Sequence, residues 1–328
     1  MISKKELALI VLILVVGTVT YSLNPRFLSA VNIINMANLT GLFGIFAIGV
    51  GLVIISGGID LSVGSMFALL GVVFLDLFAN VGLHWTLALP VAVGLGLLLG
   101  LIHGLLVTKA GLQPFVVTLC GLLIYRGIAR YYTSDSTMGF GYGTDDTTLR
   151  WLMSGRTFDV PHTFIAFLII AAIMAVVLHG SVYGRHLFAT GKNEEAARYS
   201  GINTARVVTT TYVISGGLAG LASVFIVFYT NSVSPSSHGN FYELYAIAAA
   251  VLGGCSLRGG EGSILGIMLG TILLQILQNL VNLLGIPSSL NFAVMGSVIL
   301  LGVLADQELT RRRKRSLAAI GGSVARSN

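Results

Sequence analysis

Long apolar segments with very few charges constrain the fold of this chain more than any other feature. Several of them contain the ~18 to 20 apolar residues that are needed to cross the hydrocarbon core of a bilayer. Charged residues make up only 10% of the 328 residues, whereas hydrophobic residues make up 55%. A soluble domain has about 25% charged residues, so this chain cannot cover itself with a hydrated surface. The sequence therefore predicts an all-α, polytopic membrane protein built as a helical bundle.

Hydropathy predicts about ten transmembrane helices. An even number of spans places both termini on the same side of the membrane. Basic residues are concentrated at 185–206 and 311–315, and their preference for cytoplasmic loops predicts that both termini are cytoplasmic and that loop 133–161 is external. One missed helix would invert part of this topology. The predicted spans are 7–23, 39–56, 62–79, 86–108, 114–132, 162–181, 207–230, 242–257, 263–284 and 288–305.

Residues 1–310 are predicted to form a single transmembrane domain, and residues 311–328 a basic and then disordered cytoplasmic tail. The first span has a basic start, but no cleavage site follows it, so we interpret it as an uncleaved span. The net charge of +6 does not indicate a nucleic-acid partner, because the basic residues lie in loops between apolar segments. Membrane lipid is the expected surrounding.

The sequence contains no motif for metal binding or ATP hydrolysis. Cys120 and Cys255 lie in or beside apolar spans without a CxxC pair, so they indicate neither a disulfide nor a metal site. Lys192 follows Gly191, but Asn193 stands where a phosphate-binding loop requires Ser or Thr. We therefore expect no catalytic residue, no metal and no cofactor in this chain. Any ATP hydrolysis would take place on a partner.

A polar segment, SGGIDLSVGS at 56–65, interrupts the most apolar part of the chain. The two glycines can end one helix, and Asp60 can cap the next by accepting the backbone N–H of Ser62 or Val63. The alternative is a direct role of Asp60 in a substrate path, because carboxylates inside a membrane are candidates for function. The candidate residues of this hairpin are Gly57, Gly58, Asp60, Ser62, Gly64 and Ser65.

A second segment, LGGCSLRGGEGS at 252–263, repeats the order Gly-Gly-x-polar-Leu and also closes on Gly-Ser before an apolar span. Helix-breaking segments in corresponding places of two halves can mark a transport site. Glycine-rich hairpins also occur for packing alone, and both interpretations stay open. The candidate residues are Gly253, Gly254, Ser256, Gly259 and Gly260.

The internal loop contains GKNEEAARYSGI at 191–202, which predicts a short capped helix. Asn193 is a good N-cap, Glu194 and Glu195 suit the first turn, and Gly201 can end the helix. Ala196 and Ala197 leave a small-sided face that another protein can approach closely. The alternative is a solvated helix that carries no force.

Polar side chains inside the predicted spans are candidates for a substrate path. Gln275 and Asn279 place amides in span 263–284, and sugars need neutral donors and acceptors of this kind. Interhelical hydrogen bonds would explain the amides equally well. Arg126 is a candidate for the outer mouth of the path, with snorkelling to the interface as the alternative. His103 lies alone in an apolar span, and we interpret it as an interhelical hydrogen-bonding residue.

Three motifs together identify a resemblance to a known family. GGIDLSVGS, GKNEEAARYSGI and AIAAAVLGGCSLRGGEGS are similar to segments of the permease subunits of ribose-type monosaccharide ABC importers, and the likeness extends from roughly residue 30 to 305. It implies the ABC importer permease fold and a bacterial inner-membrane location. It also implies a second permease (a copy or a paralogue), cytoplasmic ATPases that carry ATP and Mg²⁺, and a periplasmic sugar-binding protein. The implied cargo is a sugar such as ribose, galactofuranose, fructose or rhamnose, and the implied docking site for the ATPase is the loop that contains residues 191–202.

Two other classes of protein fit the sequence less well. An ion-coupled secondary sugar transporter would need acidic or histidine residues at mid-membrane that couple ions to substrate, and no ladder of them is visible. A membrane-embedded enzyme would need a converging nucleophile, base or metal set. ATP dependence of uptake separates the first from an ABC importer, and turnover of a bound sugar would reveal the second.

Overall fold

A computed structural model describes residues 4–141 and 146–287, together with positions 290, 293, 296, 297 and 300. The described part is helical nearly throughout, as expected for a polytopic membrane bundle. The predicted span at 288–305, apart from those five positions, and the predicted tail at 311–328 lie outside it. Its α-helices are α1 (Lys4–Leu23), α2 (Ala30–Ile55), α3 (Val63–Leu75), α4 (Trp85–Thr108), α5 (Pro114–Tyr132), α6 (Thr147–Ser154), α7 (His162–Ala175), α8 (Val182–Lys192), α9 (Glu194–Tyr199), α10 (Thr204–Thr230), α11 (Tyr242–Leu252) and α12 (Ile264–Leu283).

Short segments complete the described structure. A 3₁₀ turn, Pro25–Leu28, joins α1 to α2, and π-helical turns extend α3 over Asp76–Asn80 and α7 over Val176–Gly180. Strand β1 (Met138–Gly139) pairs antiparallel with β4 (Ser232–Val233), and β2 (Arg156–Thr157) pairs antiparallel with β3 (Val160–Pro161).

Seven described helices are long and apolar enough to cross a membrane: α1, α2, α4, α10, α12, and α3 and α7 with their π-helical turns. The sequence predicted nine spans within the described residues, so the count there is lower than expected, while the tenth predicted span, 288–305, lies largely outside them. At the predicted span 242–257 the structure has α11, whose 11 residues extend only about 16 Å. Helix α5 occupies 114–132 as predicted, with 19 residues, but it is not among the seven.

Helix α2 is the central element of the bundle. Every residue from Thr40 to Ile55 is buried, and α2 packs against α7, α10, α11 and α12. Helices α1 and α4, by contrast, expose most of their apolar residues. In a membrane such exposed apolar faces are in contact with lipid, so they need no protein partner.

Two sets of glycines recur at every fourth position, Gly96/Gly100/Gly104 and Gly262/Gly266/Gly270, and this spacing predicts close packing of helices without indicating the partners. Gly96, Gly100 and Gly104 of α4 lie directly on the backbone of α10, where an added Cβ at Gly100 would be 2.8 Å from the carbonyl carbon of Tyr212. In the second repeat, Gly266 of α12 lies on Gly253, just beyond the end of α11. The structure identifies the partner of the first repeat as α10, and that of Gly266 and Gly270 as the C-terminal end of α11 with Gly253.

Candidate functional site

The first glycine-rich segment forms a tight turn after α2. The helix ends at Ile55, and Gly57 has a φ of 87°, a conformation that glycine adopts without a steric penalty. The chain then runs without helical structure to Val63, where α3 begins. Gly58 lies against α10, because an added Cβ would be 2.7 Å from the hydroxyl oxygen of Tyr212.

Asp60 is buried, with 1% of its surface exposed, and both carboxylate oxygens accept hydrogen bonds. Oδ1 accepts from the backbone N–H of Ser62 at 3.0 Å and from the Ser62 hydroxyl at 2.6 Å. Oδ2 accepts from the Ser215 hydroxyl at 3.1 Å. The Ser62 N–H is one of the two donors that the sequence indicated, and Ser62 is the N-cap residue of α3. The carboxylate thus satisfies donors in a place where an unpaired donor would be costly.

The hydrogen bonds continue from Ser62 to two further helices. Ser62 Oγ is 3.3 Å from His103 Nδ1 on α4, and the Tyr125 hydroxyl of α5 is 2.8 Å from His103 Nε2. The prediction that His103 makes interhelical hydrogen bonds is confirmed. We refer to Asp60, Ser62, His103, Tyr125 and Ser215, all of which are buried, as the polar cluster.

Tyr125 and Ser215 were not selected from the sequence. Hydroxyl residues inside apolar helices often bond only to the backbone of their own helix, so their presence alone does not indicate a network. The signal that could have found Ser215 is its position beside Gly216, which lies against Gly96 of α4. Small residues mark the α10 face that approaches the rest of the bundle.

Helices α3 and α11 both begin beside α2 rather than beyond either of its ends. The Tyr242 ring at the start of α11 lies 4.8 Å from the Phe43 ring of α2. Near the start of α3, the Phe67 ring lies 5.8 Å from the Phe46 ring. Since α2 is long and apolar enough to cross a membrane, helices that begin beside it resemble the discontinuous helices of transport proteins.

The N-terminal ends of these two helices meet at a pair of glycines and a buried carboxylate. An added Cβ at Gly64 would clash with the Gly239 carbonyl and with the Glu243 carboxylate. Glu243 is 7% exposed, and a negative charge is favoured beside the positive end of a helix dipole. Glu243 was not selected from the sequence. The available signal was a carboxylate inside the predicted span 242–257, the same signal that selected Asp60.

The Arg126 guanidinium donates hydrogen bonds to backbone carbonyls. Its Nη1 donates to the carbonyl oxygens of Pro235 at 2.8 Å and His238 at 2.6 Å. The guanidinium fastens the 231–241 segment, which precedes α11, to α5.

The two amides of α12 that were selected from the sequence differ in their surroundings. Asn279 exchanges two hydrogen bonds with Asn32 of α2, at 3.0 and 2.7 Å. This reciprocal pair is an interhelical hydrogen bond, which the sequence offered as the alternative to a role of Asn279 in a substrate path. Gln275 is 2% exposed, and its Oε1 accepts no hydrogen bond within the described part of the chain.

The second glycine-rich segment joins α11 to α12 through a compact turn. The Ser256 hydroxyl accepts the Arg258 N–H at 3.2 Å, and the Ser256 N–H donates to the Glu261 carbonyl at 3.1 Å. Like the first segment, it directly precedes a helix, and that helix begins with the capping residue Ser263. Four of its glycines have positive φ, namely Gly254 (93°), Gly259 (78°), Gly260 (73°) and Gly262 (157°).

Helix α9 corresponds to the short capped helix predicted for the internal loop. Asn193 Oδ1 accepts the Ala196 N–H at 2.9 Å, and Glu194 and Glu195 occupy the first turn. Gly201 follows the helix with a φ of 84°, the left-handed ending that glycine favours. The predicted local structure is confirmed at both ends.

The small-sided face predicted from Ala196 and Ala197 requires a correction. Ala196 is exposed, but Ala197 is only 5% exposed and is covered by this chain. Its carbonyl accepts the Ile202 N–H at 3.1 Å as the chain turns back toward α10. A partner can therefore contact Ala196 but cannot reach Ala197. The neighbouring Tyr199 is the most exposed large side chain of α9, at 85%.

The structure brings three predicted segments together at one end of the bundle. The Gly260 N–H of the second glycine-rich segment donates to the Ile55 carbonyl at the end of α2, at 2.8 Å. Gly191, at the end of α8, lies against both of these residues. Among the described residues, no three His, Cys, Asp or Glu side chains are grouped as a metal site would require.

A bundle of apolar helices in which two helices begin beside a long central one is typical of membrane transport proteins. The sequence matches, over residues 32–303, the family described as the branched-chain amino acid transport system permease component. The chain therefore belongs to this permease family.

Relatives with assigned transport systems are similar over nearly the whole chain. The ribose import permease protein RbsC of Escherichia coli is 38% identical over 93% of this chain and 93% of its own length. The protein of the same name from Bacillus subtilis is 37% identical, over 92% and 91%. The fructose import permease protein FruF of Bifidobacterium longum is 33% identical, over 85% and 80%. No solved structure matches the chain significantly.

Proposed function

We propose that this chain is the transmembrane subunit of an ATP-binding-cassette importer for a monosaccharide. The observation that carries the proposal is the similarity to ribose import permeases over 93% of both chains. Coverage of that extent includes both glycine-rich segments and the internal loop. The buried polar side chains are compatible with a neutral cargo, because hydroxyl and amide groups can exchange hydrogen bonds with sugar hydroxyls.

The proposed partners follow from this assignment. A cytoplasmic ATPase would contact the exposed side of α9, including Ala196 and Tyr199, and would carry ATP and Mg²⁺. A periplasmic sugar-binding protein would deliver the cargo to the opposite face, and a second permease (a copy or a paralogue) would complete the transmembrane unit. This chain itself would hold no cofactor and perform no catalysis.

The proposed location is the bacterial inner membrane with cytoplasmic termini. The start of α1 supports one part of this topology. Ser263 donates a 2.6 Å hydrogen bond to Glu6, and Lys5 is 4.0 Å from Glu261. The start of α1 therefore lies beside the second glycine-rich segment, at the same end of the bundle as Gly191. Cytoplasmic placement of that end rests on the basic residues of the internal loop.

Uptake into proteoliposomes tests the function. The chain would be reconstituted with its ATPase and binding protein, and uptake of labelled ribose, fructose and leucine would be compared with and without ATP. We expect ATP-dependent uptake of one of the sugars and none of leucine. Leucine is included because the description of the family names branched-chain amino acids. Leucine uptake, or sugar uptake driven by an ion gradient without ATP, would refute the proposal.

A further inference from the structure

The backbone contacts at the end of α8 carry an inference about how force reaches the glycine-rich segments. Three segments that lie far apart in the sequence are involved: the first glycine-rich segment at 56–65, the internal loop at 191–202 and the second glycine-rich segment at 252–263. They meet through main-chain atoms. An added Cβ at Gly191 would clash with the Ile55 carbonyl oxygen and would be 2.6 Å from the Gly260 nitrogen.

The contact continues on both sides of Gly191. An added Cβ at Gly259 would be 2.6 Å from the Gly191 carbonyl oxygen and 2.9 Å from the Gly57 Cα. An added Cβ at Gly260 would be 2.8 Å from the Lys192 Cα. Real Cβ atoms do not approach other atoms this closely, so each of these contacts requires glycine. We refer to Gly57, Gly191, Gly259 and Gly260 as the glycine junction.

The glycine junction lies between α9 and the two segments that connect to α3 and α11. The chain leads from Gly57 through Asp60 to α3, and α11 leads directly into the segment that contains Gly259 and Gly260. At Gly191 there is no flexible side chain between α8 and these two segments that could absorb a displacement. Closely packed backbones transmit strain rather than absorbing it.

We propose that Gly191 is a positioning residue for energy coupling. Through its backbone contacts it transmits movement of α8 and α9 to both glycine-rich segments at once. This inference rests on the proposed function, in which the ATPase contacts α9. It adds that attachment of the ATPase and transmission of its movement depend on different residues. The exposed side of α9 attaches the ATPase, whereas the glycine junction transmits the movement.

Gly191→Ala tests the transmission, with Gly180→Ala as the matched control. Gly180 directly precedes the cap of α8, and an added Cβ there would meet only a Val176 methyl group at 3.7 Å. In the assembled transporter in proteoliposomes, we expect Gly191→Ala to retain the ATPase and its rate of hydrolysis. Sugar imported per ATP should fall about tenfold. Gly180→Ala should match the parent in all three measurements.

Two outcomes for Gly191→Ala would overturn the inference. An unchanged amount of sugar per ATP would show that the glycine junction does not transmit movement. Loss of the ATPase from a folded Gly191→Ala variant would show that this residue shapes the attachment site instead. If the parent chain itself attached no ATPase, the proposed function would fail, and that result is distinct from either of these.

A crosslink provides a test that does not depend on the folding of Gly191→Ala. Lys192 Nζ and Glu261 Oε1 are 3.4 Å apart, and both side chains are exposed. The double variant Lys192→Cys/Glu261→Cys, in a Cys120→Ala background, would be joined by a short bifunctional maleimide. Cys255 is buried and can remain. We expect the joined transporter to import sugar at the rate of the unjoined one, because the two segments move together. Transport that is blocked by the crosslink would contradict a rigid junction.

Discussion

Asp60 was selected because a carboxylate inside a membrane requires an explanation. In the structure each of its oxygens accepts a hydrogen bond from a neighbouring group, and only 1% of its surface is exposed. We therefore favour its structural role over direct contact with cargo. Buried polar groups that are fully hydrogen-bonded hold helices in one arrangement.

Substitutions at Asp60 should affect stability before specificity. Asp60→Asn keeps an acceptor for the Ser62 N–H but loses the charge at the start of α3, at a cost of about 1 kcal/mol. Asp60→Leu should be worse, because each buried donor left without a partner costs about 1–3 kcal/mol. Thermal unfolding in detergent and uptake of a panel of sugars would measure the two effects. Unchanged stability of Asp60→Asn together with abolished transport would instead indicate a direct role in the substrate path.

Ala196 and Ala197 provide a matched pair of variants on α9. Ala197→Arg should destabilise the permease itself, because the side chain is buried within this chain. Ala196→Arg should leave the fold intact and weaken attachment of the ATPase, because this residue is exposed. Size-exclusion profiles report the first effect and co-purification of the ATPase reports the second. Equal ATPase attachment by Ala196→Arg and the parent would exclude this side of α9 as the contact.

Gly201 is a test of backbone conformation at the end of α9. Its φ of 84° is strained for a β-branched residue, so Gly201→Val should disorder the turn into α10. Gly201→Asn is the control, because asparagine tolerates left-handed conformations better than other residues with a side chain. We expect ATPase co-purification and sugar uptake to be lost with valine and largely retained with asparagine. Full activity of the valine variant would show that the turn is not needed for coupling.

At the scale of elements, the contact between α4 and α10 depends on small residues. An added Cβ at Gly100 would be 3.0 Å from the Val213 Cα, whereas one at Gly94 would have no neighbour within 4 Å. Gly100→Val should therefore destabilise the protein by about 1–3 kcal/mol through overpacking. Gly94→Val on the same helix should have a much smaller effect. Thermal unfolding of both variants in the same detergent is the measurement, and equal melting temperatures would contradict the packing argument.

At the scale of the whole molecule, the topology can be tested with two single cysteines in a Cys120→Ala background. Phe158, between β2 and β3, is 96% exposed, and Lys109 is exposed beyond the end of α4. The charge distribution predicts that Phe158 is outside and Lys109 is inside. A membrane-impermeant maleimide should label Phe158→Cys in spheroplasts, and Lys109→Cys only after permeabilisation. The reverse pattern would invert the proposed orientation.

The sequence by itself determined the class of protein and much of its local structure. Apolar segments of sufficient length exclude a soluble fold, whatever the tertiary packing. Asn193 and Gly201 mark the ends of α9 correctly because caps and left-handed turns depend on residues only a few positions away. The glycine repeats likewise predicted close helix contacts, since a backbone can approach another only where side chains are small.

Only the tertiary structure decided which of these features meet. Lipid and the interior of the bundle are both apolar, so hydrophobic periodicity does not separate the buried α2 from the largely exposed α1. For the same reason the sequence could not show that α11 begins beside the middle of α2 or that Glu243 lies beside Gly64. The contact of Gly191 with Ile55 and Gly260 joins three distant segments, and the spacing of residues along the chain carries no record of it.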